Sequence, residues 1–210
     1  IANGAEPWRF PQEKDLPEIH TAFAPEQQED TVFHPYERNE KLVRPWAIPG
    51  TKGLEHRIGG LEKQAVTGNI SYDPDNHEHM VKMREARVEI IADYIPEQAI
   101  ALGPEKGQVL LLGWGSTYGA MQGATQQLLS EGYAVAHAHL RYIKPFPRNL
   151  GQLMQQFDHV MVPEINNGQL VKVLRDKYMV PAVAFNKIKG VPITSRELVN
   201  AVIDLLANKK

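Results

Sequence analysis

There is no cysteine in these 210 residues. The chain's own side chains therefore offer no disulfide, no thiolate zinc site and no anchor for an iron–sulfur cluster. An excess of one charge is also missing, because 23 Lys and Arg stand against 25 Asp and Glu, for a formal net charge of -2. That balance calls for neither a polyanion nor a membrane surface, so nucleic acid and membrane are not expected as partners. No run approaches the roughly 20 apolar residues of a membrane span, and the start lacks the charged-then-apolar layout of a signal peptide. A cytoplasmic protein is expected. Gly-x-Ser-x-Gly does not occur, which removes a serine nucleophile elbow. The first residue is not methionine, and Ile1-Ala2-Asn3-Gly4 reads as if it continued a longer chain. A piece of a larger protein is the expectation, checked by comparing this mass with that of the chain made in its source cell.

What is present divides into two parts. Seven of the 15 prolines (Pro7, Pro11, Pro17, Pro25, Pro35, Pro45, Pro49) precede residue 60. Each removes an N–H donor and biases its predecessor to extended backbone, so neither a long helix nor a central strand fits there. Trp8, Phe10, Phe23, Phe33, Tyr36 and Trp46 are too apolar for a solvated linker and predict an arm that wraps over its own domain or a neighbour. A glycine-rich loop around Glu55, His56 and Arg57 follows. Arm and loop together are assigned residues 1–74, and the remaining domain 75–210.

Asp73-Pro74-Asp75-Asn76-His77-Glu78 opens a helix, with either Asp73 capping before Pro74 or Asp75 paired with Glu78. The run Val109 to Leu112 is a buried strand that turns through Gly113-Trp114-Gly115-Ser116 into a helix closing near Gly132. Tyr133 to Leu140 alternates, with Ala134, Ala136 and Ala138 on one face. That small face predicts close approach by Gly119, Ala120, Gly123 and Ala124 of the preceding helix. A short helix from about Asn149, strands at 159–163 and 182–186, a helix to Tyr178, and a final helix begun by a Thr194/Glu197 capping box complete the pattern. Alternating strands and helices from about Glu97 onward indicate an α/β layered domain with a mostly parallel sheet.

Open α/β sheets use the loops beyond their strand C-termini, which gathers Ser116, Arg141, Glu164, Asn166, Asn167 and Gln169 as a candidate contact edge. Asn and Gly at such a loop serve equally well as turn formers and caps. The Gly113 to Gly119 turn allows an alternative: a free-standing nucleotide-binding α/β domain. Against it, Trp114 is bulky, and His139-Leu140-Arg141 stands where a ribose-binding acid belongs. His137 with His139, and His77 with His79, have chelating spacing but no acidic or thiolate company in sequence, so no metal site is assigned.

The run Pro49-Gly50-Thr51-Lys52-Gly53-Leu54-Glu55-His56-Arg57-Ile58-Gly59-Gly60, followed by Gly68-Asn69-Ile70-Ser71-Tyr72-Asp73-Pro74, resembles the α subunit of 2-oxoacid:ferredoxin oxidoreductases, closest to the 2-oxoglutarate enzymes. Gly113-Trp114-Gly115-Ser116, Pro145-Phe146-Pro147 and Glu164-x-Asn166-x-Gly168-Gln169-Leu170 continue the likeness in order. The resemblance implies a three-layer α/β/α domain similar to the transketolase C-terminal domain, with a mostly parallel sheet of about five strands, after an extended N-terminal arm that leaves a pyrimidine-binding domain. It implies a whole enzyme that decarboxylates 2-oxoglutarate on thiamine diphosphate with Mg, transfers the acyl group to coenzyme A and reduces ferredoxin through a 4Fe-4S cluster. The partners so implied are the remainder of the α subunit, the β subunit and, through the whole enzyme, ferredoxin and coenzyme A. No catalytic or cofactor-binding residue carries over onto this chain. Assembly, and shaping of the substrate or coenzyme A approach, is its expected work.

Overall fold

The computed structural model describes residues 10–26 and 31–207, so Trp8 lies outside the described residues. The chain forms two compact units, one of residues 10–94 and one that runs from Ile95 onward.

The first unit is mostly turns and extended chain, as its prolines dictate. Beyond a 3-10 turn at Glu13–Asp15, its order in the arm and loop comes from single bridges, Phe23 with Trp46, Tyr36 with Val66 and Lys63 with Ile70. Its one long helix, α1 (Pro74–Glu89), starts with Pro74 in the first position and the Asp73 carboxylate accepting the Asp75 N–H at 3.1 Å. Of the two capping arrangements open in the sequence, this is the one adopted. Asn76 ties α1 to the loop before it, its amide donating to the Lys63 carbonyl while its oxygen accepts the Ala65 N–H, and Met80 is the buried residue of the helix. The first unit thus takes in this helix and ends at Tyr94, whereas the composition of the sequence changes at 74. The aromatic side chains expected to find cover are largely open in this chain: Phe10 is 90% exposed, Trp46 69% and Phe23 51%.

The second unit is a three-layer α/β/α domain. Its strands, β1 (Gly107–Trp114), β2 (Val135–Leu140), β3 (Phe157–Glu164) and β4 (Val183–Asn186), are all parallel in the order β2-β1-β3-β4. The described residues therefore hold four strands rather than about five. Outside β2 the chain contributes one antiparallel bridge, at Leu102 beside His137, too little for another strand. The strand β1 is central and covered on both faces, which is why Val109 to Leu112 is uninterrupted apolar sequence. Leu110 and Leu112 face a core shared with α3 (Leu150–Met154) and α4 (Gln169–Tyr178). Val109 and Leu111 face the opposite core, shared with α2 (Tyr118–Ser130) and α5 (Ser195–Ala207).

This layering corrects the expected partner of the alanine face of β2. Ala136 and Ala138 pack with Phe146, Leu150 and Met154, while α2 covers the other face through Met121, Ala124 and Leu128 beside Val135. The small residues of α2 serve α5 instead: a Cβ on Gly123 would stand 2.6 Å from the Ser195 hydroxyl. The capping box at α5 forms as expected, with the Glu197 carboxylate accepting the Thr194 N–H at 2.8 Å and the Thr194 hydroxyl accepting the Glu197 N–H at 3.3 Å.

Candidate functional site

In the order β2-β1-β3-β4 the chain steps from β1 to one side and then crosses to the other, so the topological switch lies between the C-terminal ends of β1 and β3. A parallel α/β sheet opens a crevice at that point. Here it lies between Trp114 and Glu164, and it is closed by the chain's own side chains. Glu164 is fully buried. Its Oε1 accepts from the Leu170 N–H at 2.9 Å, the Asn166 amide at 3.1 Å and, more weakly, the Trp114 indole at 3.4 Å, while Oε2 accepts from the Val171 N–H at 3.1 Å. The carboxylate satisfies the unpaired N–H groups of the first turn of α4 and sits at the positive end of its dipole. Asn166 continues the work, its Oδ1 accepting the Gly168 and Gln169 N–H groups at 2.8 and 3.0 Å. Gly168 holds φ 73°, and a Cβ there would meet the Asn186 amide at 2.9 Å. Glu164 and Asn166 are therefore caps of α4, and Asn167 and Gln169 are the exposed members of the group.

The glycine turn after β1 has a packing explanation as well. A Cβ on Gly113 would lie 2.2 Å from the Met121 sulfur and 2.5 Å from the Thr117 hydroxyl, so the space a diphosphate would need is where α2 seats. Ser116 lies in a 3-10 turn, and Thr117 occupies the cap position of α2 with its hydroxyl donating back to the Trp114 carbonyl at 2.9 Å. The cap position of α2 thus falls to Thr117 rather than to Ser116. Arg141 is exposed just past β2. Strand register puts Trp114 level with Leu140, so Ser116, Arg141 and the Glu164 to Gln169 loop do follow the same edge of the sheet.

His137 and His139 share a face of β2 with ring centroids 5.9 Å apart, and Tyr118 of α2 stands edge-on to both. His137 is fully buried, and neither ring nitrogen has a hydrogen-bond partner. Burial first, and the neighbouring His139 second, push it down to about 4. His139 is also lowered, by burial and then by the Arg141 charge. Both are neutral rings in an apolar layer at ordinary pH. Among the described residues no group of three His, Cys, Asp or Glu is placed to hold a metal.

The remaining sequence candidates lie in the first unit. Glu55, His56 and Arg57 are exposed, and the His56 Nδ1 pairs with the Leu54 carbonyl at 2.7 Å. His77 pairs with Glu62 at 2.8 Å rather than with His79, and Arg84 reaches both oxygens of Glu62 at 3.1 and 3.3 Å. Arg84, then His77, hold the Glu62 carboxyl down to about 2. Glu55 and His56 line a cavity of about 610 Å³ together with Arg38, Arg44 and Arg87. Sequence reasoning passed over these arginines because they are far apart in sequence and sit in no motif. The only available signal was basic residues recurring among prolines and aromatics.

No protein-family model matches the chain. The 2-oxoglutarate oxidoreductase subunit KorA of Mycobacterium tuberculosis is 44% identical over all of this chain, which corresponds to 31% of that subunit. Subunit alpha of 2-oxoacid:ferredoxin oxidoreductase 2 of Aeropyrum pernix is 31% identical over 83% of this chain and 27% of its own length. A solved structure of 2-oxoglutarate:ferredoxin oxidoreductase from Magnetococcus marinus, with 2-oxoglutarate, coenzyme A and succinyl-CoA bound, matches with a TM-score of 0.82 at 27% identity, over 92% of this chain and 34% of that one. The chain spans about a third of the length of the curated relatives it matches. It is homologous to a part of these subunits, over all of its length for KorA and over 83% of it for the Aeropyrum pernix subunit alpha.

Proposed function

We propose that this chain is the C-terminal α/β domain, with its preceding arm, of the α subunit of a thiamine-diphosphate-dependent 2-oxoglutarate:ferredoxin oxidoreductase. The observation that carries the reading is the end-to-end identity of 44% to a 2-oxoglutarate oxidoreductase subunit, supported by a backbone match of TM-score 0.82. The whole enzyme would oxidatively decarboxylate 2-oxoglutarate, deliver the acyl group to coenzyme A and pass electrons to ferredoxin. Thiamine diphosphate supplies the carbanion chemistry in such an enzyme.

The described residues at the sheet's crevice do not fit that cofactor or its metal. At the switch point both oxygens of Glu164 are spent on N–H donors, and Met121 with Thr117 fills the space beside Gly113. The work of this chain is assembly with the rest of the α subunit and the β subunit, and shaping the approach of substrate or coenzyme A, with the exposed residues Glu55, Arg57, Arg141, Asn167 and Gln169 as contact points in a cytoplasmic complex.

The test is made on the purified oxidoreductase that contains this chain. Ferredoxin reduction should require both 2-oxoglutarate and coenzyme A, and its absence would overturn the reading. The contact role is probed by Asn167→Ala with Gln169→Ala, which spares the carboxylate cap of α4. A reduced yield of assembled complex or a raised KM for coenzyme A is expected; unchanged values for both would remove the role from this edge.

A further inference from the structure

The first unit collects three arginines around one cavity with a single acid among its described lining residues. Arg38, Arg44 and Arg87 line the cavity of about 610 Å³ and also an adjoining one of about 800 Å³. Among the described residues no carboxylate pairs with any of the three. Glu62, the carboxylate lining the second cavity, is already taken by Arg84 and His77. Glu55 is the one acid lining the first. The crowding is felt at Arg38, which lies below its ordinary value through burial first and the charge of Arg44 second, with Arg84 and Arg87 adding to the effect.

Like charges collected in a partly enclosed space cost free energy unless an anion joins them. Two of the three guanidinium groups are also held in place. Arg38 Nη1 donates to the Leu42 carbonyl at 3.1 Å, Arg44 Nη1 to the Pro35 carbonyl at 3.0 Å, and the Arg44 guanidinium stacks 4.1 Å over the Tyr36 ring. A guanidinium carries five N–H donors, so one bond to a carbonyl fixes its place and leaves donors over. Planar forks of this kind match phosphate and carboxylate oxygens. Three cations against Glu55 leave an excess that a single carboxylate does not balance and a multiply charged phosphate does. Phe33, Trp46, Leu54 and Ile58 add an apolar part to the lining of the first cavity, beside the polar Thr51 and His56. Such a wall accepts the uncharged body of an ester.

We propose that the cavity lined by Arg38, Arg44 and Arg87 binds a small phosphate ester that carries at least two negative charges. The site stands independently of the reading of the whole enzyme given above.

Calorimetric titration of the full 210-residue chain tests it, with pyrophosphate as the charge probe, phenyl phosphate as the ester and succinate as the dicarboxylate. Saturable binding of one pyrophosphate per chain, weakening as salt is raised, is expected, together with measurable binding of phenyl phosphate. The double variant Arg38→Gln with Arg87→Gln should weaken pyrophosphate by about tenfold or more, the loss of two charge-assisted contacts. The variant Glu55→Gln, at an exposed position, should tighten it. No saturable heat, an unchanged affinity in the double variant, or a Glu55→Gln chain that binds no tighter would overturn the site. Succinate binding as tightly as pyrophosphate would overturn the phosphate assignment, and so would a polyglutamate peptide outcompeting pyrophosphate, which would make the surface one for acidic protein segments.

Discussion

The two units of this chain treat their apolar side chains in opposite ways. From Ile95 onward, Leu110, Leu111, Leu112, Met121, Leu128, Leu150, Leu174 and Leu198 have no exposed surface at all, and they form two cores on either side of one sheet. Between Phe10 and Tyr94 the buried apolar side chains are few, Ala24, Leu54, Met80 and Ala92. In the same stretch Ile19, Val32, Ile58 and Tyr72 are each at least 74% exposed. The first pattern is that of a domain that closes its own core. The second is that of a chain segment whose apolar surface is in excess of what its own fold covers, as expected of a segment that docks in an assembly. Apolar content alone does not separate the two, because the difference lies in whether strands and helices exist to bring apolar residues together.

The sharpest way to break this contrast is a pair of truncations. Leu111→Ala should destabilise the second unit by about 2–5 kcal/mol, whereas Ile58→Ala should change the stability of the isolated chain by less than about 0.5 kcal/mol. Denaturant melts of both variants measure this, and equal losses would erase the distinction.

The next effect is a dependence on pH. The His137 pKa is about 4 in the folded chain, against 6.5 ordinarily, so the unfolded chain takes up the proton first as pH falls. Stability is full above pH 6.5 and is lost progressively between 6.5 and 4, by about 3 kcal/mol in total. His137→Leu should flatten that part of the pH–stability curve, and a curve that keeps its slope would count against the buried neutral ring.

A smaller loss, about 1 kcal/mol, is expected for Thr194→Ala, because the α5 capping box loses one of its halves. The change should appear in a thermal melt. Smallest of all is Arg84→Gln in the first unit, where the Glu62 pair is at the surface and global stability should barely move. NMR titration should nevertheless show the Glu62 carboxyl rising from about 2 toward the ordinary carboxylate range.

The second unit was largely legible in the sequence because its signals are local. An uninterrupted apolar run marks a strand covered on both faces, and Thr194 with Glu197 marks a helix start whatever surrounds it. The error at the alanine face of β2 arose where locality ends. Alternation tells which residues share a face but not which helix covers it, and that depends on the crossover after β2. The edge of the sheet was read in the same partial way. Glu164 stood out as a polar residue at a functional position, yet its four donors, from Trp114, Asn166, Leu170 and Val171, come together only in three dimensions. The arginines around the first-unit cavity were illegible for the same reason, since Arg38 and Arg87 are brought together by a fold that no sequence period announces.

The bridge at Leu102 has a consequence for how the domain behaves in a crowded solution. Strand β2 is at an edge of the sheet, and an open edge is a template on which another chain can add a strand. At its middle the Leu102 carbonyl accepts the His137 N–H at 2.8 Å, and the His137 carbonyl accepts the N–H groups of Ala101 and Leu102 at 2.8 and 3.3 Å. Both backbone groups of His137 are thus taken by the chain itself, and a second copy finds no ladder to extend across that point. The short crossing segment closes that point of the edge with backbone atoms, and it can lie this close to β2 because Gly103 follows Leu102: a Cβ there would stand 2.5 Å from the Val135 carbonyl oxygen.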